Sequence, residues 1–171
     1  MIRIYILGML AHSVDYPYNI RKKLMNAQPF IKISEGKFYY DFEALHKKNW
    51  IEPVQKLQEG SRPEKTLYRI TNEGRGHLVE ELYLCFQKYT EVADLYIAIH
   101  FLNYINKEEA ASILKQTIQK EKEKWDTLKT KKEEKEKYNT VSDSSQLIAS
   151  HAFDKAEFNI KWLERVLEFI K

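Results

Sequence analysis

The sequence predicts a mainly α fold carrying one small two-stranded sheet: three short helices and a β-hairpin in the first 75 residues, then helices alone to residue 171. Three observations carry this prediction. Apolar residues recur at three- and four-residue steps through most of the chain. Runs of β-branched and aromatic residues occur at WIEPV and TLYRI, with a Gly- and Pro-containing stretch between them. Residues suited to starting or stopping helices punctuate the periodic segments.

Residues 2–11 place Ile4, Leu7 and Gly8 or Ala11 on one face with Ile6 and Leu10 beside them, a short and largely buried helix. SVDYPY interrupts it. Ser13 and Asp15 suit a helix start and Pro17 a first turn, so a second helix is expected from Asp15 to Ala27, with Ile20 and Leu24 inward and Pro29 as its stop. Ser34 opens a third, in which Phe38, Phe42 and Leu45 define the buried face and Lys37, Tyr40, Lys47 and Tyr39 the other. WIEPV and TLYRI then pair as a hairpin around QKLQEGSRPEK, whose tip carries Arg62 and Lys65. Thr71 caps a long fourth helix through Leu78, Leu82, Phe86, Tyr89 and Ala93.

Beyond it, DLYIAIHFLNYI reads as one helix ending near Asn106. Residues 107–137 form another, with Ala111, Leu114, Ile118, Trp125 and Leu128 as a coiled-coil-like seam. KTKKEEKEKYNTVSDSS sheds apolar residues and is expected as an exposed loop. A last helix over 145–171 puts Ala149, Ala152, Ala156, Leu163, Val166 and Ile170 on one stripe.

Composition narrows the function. Apolar residues make up 43% of the chain and charged ones 31%, enough for packed cores, and no apolar run reaches the ~18 residues of a membrane helix. The opening MIRIYILGML is too short for a secretory leader and lacks a small-residue cleavage site, so a cytoplasmic protein is expected. The single cysteine, Cys85, excludes an internal disulfide and lies in the apolar LYLCFQKY as a small buried hydrophobe. Histidines 12, 46, 77, 100 and 151 never share a helix face, so neither metal nor other cofactor is expected. No nucleophile with a base, and no carboxylate and His constellation, stands at catalytic spacing, so the chain does not read as an enzyme. The net charge of +3 is uneven: residues 1–75 hold 13 Lys/Arg against 8 Asp/Glu, residues 76–171 hold 15 against 17. The surplus in the first part suits a polyanion partner there.

Three helices and a hairpin within 75 residues is the order of a winged helix-turn-helix. Residues 1–75 are therefore expected as a DNA-binding domain and 76–171 as an all-helical domain. The third helix would enter the major groove by its N-terminal end, presenting Ser34, Lys37, Tyr39 and Tyr40. Arg62 and Lys65 on the wing would reach an adjacent groove or backbone. If Lys37, Arg62 and Lys65 each neutralise a phosphate, replacing any one lowers the salt slope of binding by about 1. A two-fold dimer would set two such helices about 34 to 36 Å apart, on a near-palindromic operator. Winged domains also bind proteins, and the modest surplus of Lys37, Lys47 and Lys48 over Asp41 and Glu43 leaves a protein–protein module as the alternative.

The segments YILGMLAHSVDYPYNI, SEGKFYYDFEALHKKNWI and GSRPEKTLYRITNEGR resemble successive signature stretches of PadR-type transcriptional regulators. Gly8, Leu10, Tyr18, Ile20, Gly36, Tyr39, Leu45, Ile51, Pro63, Tyr68, Thr71 and Gly74 match in order. Pro17, Asn19, Tyr40 and Asn49 depart from the family's Gly, Glu, Pro and Gly, and the wing is one residue longer; Asn tolerates the left-handed turn expected at 49. DLYIAIHFLNYINKEEAASIL and IKWLERVLEFIK are similar to the helical C-terminal domain of longer members. The resemblance implies a homodimer built by the fourth and later helices, with 76–171 as its dimerisation domain, and a repressor that releases DNA when a small aromatic compound binds near the dimer interface. Tyr96, Phe101, Trp125, Phe158 and Trp162 are the residues that could stack on such an effector. Aromatics at helical spacing serve equally as core and dimer seam.

Overall fold

The computed structural model describes residues 1–27, 34–58, 64–89, 91–138 and 142–171. In chain order these form α1 (Ile2–His12), α2 (Pro17–Ala27), α3 (Glu35–Lys47), β1 (Ile51–Leu57), β2 (Lys65–Ile70), α4 (Asn72–Gln87), α5 (Leu95–His100), α6 (Lys107–Tyr138) and α7 (Asp143–Ile170). Single 3₁₀ turns at Val92–Asp94 and Leu102–Tyr104 flank α5. The fold is mainly α with a two-stranded wing, and it divides into one compact unit of Met1–Leu82 with Ile97–Tyr104 and a second of Tyr83–Tyr96 with Ile105–Lys171. Among the described residues, no helix is long and apolar enough to cross a membrane.

The first unit is built around α1. Ile4, Tyr5, Ile6, Leu7, Gly8 and Leu10 are buried on all sides of it, as befits a helix enclosed by its neighbours. Phe101 closes over Gly8 so tightly that a Cβ there would lie 2.6 Å from the ring. Tyr5 meets the edge of the same ring at 5.7 Å, and burial pushes its hydroxyl pKa up. Phe38, Phe42 and Leu45 of α3 are buried as their spacing predicts.

Two tight turns frame the hairpin. Asn49, at φ 58°, takes the left-handed position that ends α3, with its N–H on His46 O and that of Trp50 on Leu45 O. After β2, the Thr71 hydroxyl accepts from Gly74 N at 3.0 Å and donates to Asn49 O at 2.8 Å, which caps α4 and ties it to the end of α3. Gly74 presses on that junction: a Cβ there would overlap the Trp50 carbonyl oxygen and lie 2.9 Å from its carbon and from Ile70 Cγ1. The strands pair antiparallel from Ile51↔Ile70 to Leu57↔Lys65, with an irregularity between Pro53 and Gln55.

The sequence reading needs correction at several boundaries. The second helix begins at Pro17, not Asp15, because Asp15 is buried in a β-bridge to Tyr68 and its carboxylate accepts from Tyr16 N, Asn19 Nδ2 and Lys23 Nζ. The expected stop, Pro29, lies outside the described residues. β1 runs on through Gln55, Lys56 and Leu57, which the polar side chains had suggested as loop. The fourth helix ends at Gln87, leaving Tyr89 and Ala93 beyond it. DLYIAIHFLNYI is split, since α5 has six residues before the chain tightens into a 3₁₀ turn. The Lys- and Glu-rich run continues α6 to Tyr138, and α7 starts at Asp143 with Ser142 as its cap.

In the second unit α6 packs along α7. Leu114, Ile118, Leu163, Val166 and Ile170 are buried, while Ala110 rather than Ala111 faces inward and Leu128 is 41% exposed. The buried Thr117 hydroxyl donates to Phe86 O at 2.9 Å, and Lys122 pairs with Glu164 at 2.6 Å across the two helices. Burial, with the Glu121 charge, pushes Tyr89 up to about 12. Three apolar side chains of α7 stand exposed: Leu147, Phe158 and Phe169 at 73%, 69% and 72%. Their eleven-residue spacing is close to three full turns, so they lie along one line of the helix.

Candidate nucleic-acid interface

The N-terminal end of α3 gathers four of the expected residues. Ser34 is the N-cap, and its hydroxyl accepts from Lys37 N at 3.3 Å, so the side chain fixes the start of the helix. Tyr40 is exposed. Tyr39 is half-buried, its ring at right angles to that of Phe38 at 5.5 Å, which makes it an edge of the core as much as a surface group.

Lys37 is not a free cation. Its Nζ lies 2.8 Å from Asp41 Oδ2 one turn on, and 5.3 Å from the centre of the Tyr40 ring. Asp41 is 3% exposed and also receives Arg3 Nε of α1 at 2.8 Å. Burial alone would push the Asp41 carboxyl up, but the hydrogen bonds and charges of Lys37 and Arg3 outweigh it and hold its pKa below the ordinary carboxylate value. Arg3 and Asp41 were not singled out as a pair, although a Lys four residues before an Asp on one helix is the signal for half of the cluster. Arg3 lies 38 positions away from Asp41. Nothing local in the sequence announces it.

On the wing, Lys65 opens β2 opposite Leu57 instead of standing at the tip, and its Nζ sits 4.9 Å above the Tyr16 ring. Arg62 lies outside the described residues. Lys56 and Glu64 pair at 2.8 Å, and Arg69 and Glu52 at 2.7 Å, so two of the three cations described on the strands stand against carboxylates.

The five aromatics expected to hold an effector do not form one cluster. Phe101 is buried in the first unit against Gly8 and Tyr5. In the second unit Tyr96 and Trp162 meet edge to face at 5.6 Å, whereas Trp125 meets Phe153 at 5.5 Å and Phe158 faces outward. A groove of about 650 Å³ between α6 and α7 is lined by Trp125 and Phe153 among Lys129, Lys132, Glu157 and Lys161. Trp125 is the one expected residue that lines it. Among the described residues, no group of three or more His, Cys, Asp and Glu could hold a metal ion.

Residues 6–80 match the family model described as Transcriptional regulator PadR-like family. No curated protein matches the chain. Among solved structures, Bacillus subtilis PadR in complex with operator DNA is 20% identical, with 99% of this chain and 98% of that one covered at a TM-score of 0.45. The smu.1604c protein of Streptococcus mutans UA159 is 23% identical over 97% of this chain and 98% of its own, also at 0.45. Bacillus subtilis PadR in complex with p-coumaric acid is 16% identical over 98% and 97%, at 0.39.

Proposed function

We propose, from the match of residues 6–80 to the PadR-like transcriptional regulator family model, that this protein is a homodimeric regulator that binds a near-palindromic operator in double-stranded DNA. The observation that carries the reading is the α3 end itself: a Ser-capped helix start whose residues 34–37 and Tyr40 are exposed, on a domain that also bears a two-stranded wing. Ser34, Lys37, Tyr39, Tyr40, Arg62 and Lys65 are the residues proposed to meet DNA. Within the proposed division, residues 1–75 read DNA and 76–171 dimerise.

What supports a second copy as partner is the row of exposed Leu147, Phe158 and Phe169, three apolar side chains spread over about 33 Å of α7 with His151, Asp154, Lys161 and Arg165 between them. Antiparallel two-fold pairing would set Phe158 against itself and Leu147 against Phe169 of the second copy. Repression and release by a small aromatic compound complete the proposal, with Tyr96, Trp125, Phe158 and Trp162 as its candidate contacts. Phe101, packed in the first unit, would bear on release only through the core.

Footprinting on the DNA upstream of the gene tests the central statement. A protected near-palindrome is expected, and an asymmetric site would overturn the dimeric reading. Sedimentation of Phe158→Asp should show a monomer, and a persistent dimer would remove α7 from the interface. Titration of tryptophan fluorescence with p-coumaric acid and with a cationic dye tests release. A flat response to both would refute an aromatic effector.

A further inference from the structure

Asp41 sits in the proposed DNA-facing helix, yet it is buried and holds two cations from two different helices. A carboxylate so enclosed cannot lose both partners, because an unpaired buried charge is strongly destabilising. Two cations make one of them dispensable. Arg3 is the natural resident, since its Nε donates to Oδ1 from the first turn of α1 and so pins α1 to α3. Lys37, on Oδ2, has a side chain 54% exposed and a flexible stem.

We propose that Asp41 is a positioning residue that holds Lys37 away from DNA, so that Lys37 meets a phosphate only by leaving Asp41 to Arg3. This rests on the DNA-binding reading above and specifies how one of its contacts is controlled. The exchange swaps one anion for another around the same ammonium, so part of what Lys37 gains from a phosphate is offset by the pairing with Asp41 that it gives up. Its ammonium becomes fully available only when the carboxylate is gone.

The test uses the full chain and a fluorescein-labelled 30-base-pair duplex of arbitrary sequence, titrated at several salt concentrations. Asp41→Asn should bind up to about fivefold more tightly, the factor that one half-exposed ion pair commands. Its salt slope should exceed that of Asp41→Asn/Lys37→Ala by about 1. A gain that persists in the double variant would mean that added net charge, not release of Lys37, is responsible, and would overturn the proposal. So would a folded Asp41→Asn that binds no better than wild type.

A second measurement needs neither DNA nor a variant. In the wild-type protein, acetylation by an N-hydroxysuccinimide ester, followed by peptide mass spectrometry, should modify Lys37 several times more slowly than exposed Lys47 on the same helix. Equal rates would refute the clamp. If Lys37 is slow but the protein binds no duplex at any salt, the DNA reading falls, and the proposed role of Asp41 falls with it while the clamp stands.

Discussion

Gly74 and Gly76 are two residues apart in α4, and replacing each by alanine should move stability in opposite directions. At Gly76 an added Cβ meets nothing within 4 Å. Alanine there replaces the weakest ordinary helix former by the best, a gain of about 0.5 to 1 kcal/mol. At Gly74 the same atom overlaps Trp50 O and stands 2.9 Å from two carbons that would ordinarily keep about 3.5 to 4 Å. The chain at Trp50 must give way by several tenths of an ångström or more. That carbonyl accepts Thr71 N at 3.0 Å and Thr71 Oγ1 at 3.1 Å, so yielding strains two hydrogen bonds at once. Overpacking costs about 1 to 3 kcal/mol and a weakened hydrogen bond about 1, against a helix-propensity gain below 1, which leaves a net loss of about 3 kcal/mol. For a protein of this length that corresponds to a fall in Tm of about 10 °C, against a rise of about 2 °C for Gly76→Ala. Thermal unfolding followed by circular dichroism reads both. If Gly74→Ala melts at or above the wild-type temperature, the close approach of α4 to the end of α3 is not what places glycine at 74.

Further outcomes follow from named contacts. Asn49→Val should cost about 1 to 2 kcal/mol, read as a lower urea midpoint, because a β-branched residue resists the left-handed region, whereas Asn49→Gly should lose nothing. Asp41 is held below its unfolded-state pKa of about 3.9, so its pairing stabilises the fold fully above that pH and the contribution disappears as pH falls through the depressed value. Urea titrations on the acid side should therefore show a shallower decline for Asp41→Asn than for wild type. Phe101→Ala should cost about 3 to 5 kcal/mol and Phe158→Ala, in the monomer, less than about 0.5, since one ring is enclosed and the other exposed. Equal losses from the two would contradict their placement.

Helix existence was legible wherever periodicity and caps agreed. Ser34, Phe38, Phe42 and Leu45 specify α3 almost alone, and Asn49 announces its turn as one of the few non-glycine residue types that enter the left-handed region readily. What escaped reading was decided by partners distant in sequence. Asp15 looks like a helix cap, but Tyr68 recruits its backbone and Asn19 and Lys23 its carboxylate. Gln55 and Lys56 look like loop because a two-stranded wing has exposed faces, on which polar residues can stand in a strand. Leu128 fits a heptad yet is exposed, since a seam needs a partner at that level and spacing alone does not supply one. At the α3 end the sequence revealed which residues share the helix start. It did not reveal that Lys37 is engaged, because Arg3 completes the cluster from another helix.

The bridge at Asp15 also bears on how the wing behaves among its own kind. Tyr68 exchanges both backbone hydrogen bonds with Asp15, so its N–H and C=O point away from β1, and its partner Pro53 likewise turns its backbone outward. Proline has no N–H to offer there. At this level one flank of the hairpin is already occupied and the other lacks a donor, which closes both edges to an added strand. Short hairpins with open flanks are templates for edge-to-edge polymerisation. Here the hairpin is guarded against it at the level of Pro53 and Tyr68, and towards its distal end Lys56 and Lys65 place charge on the strands. A variant that replaced Pro53 and loosened Asp15 would be expected to aggregate before it lost its fold.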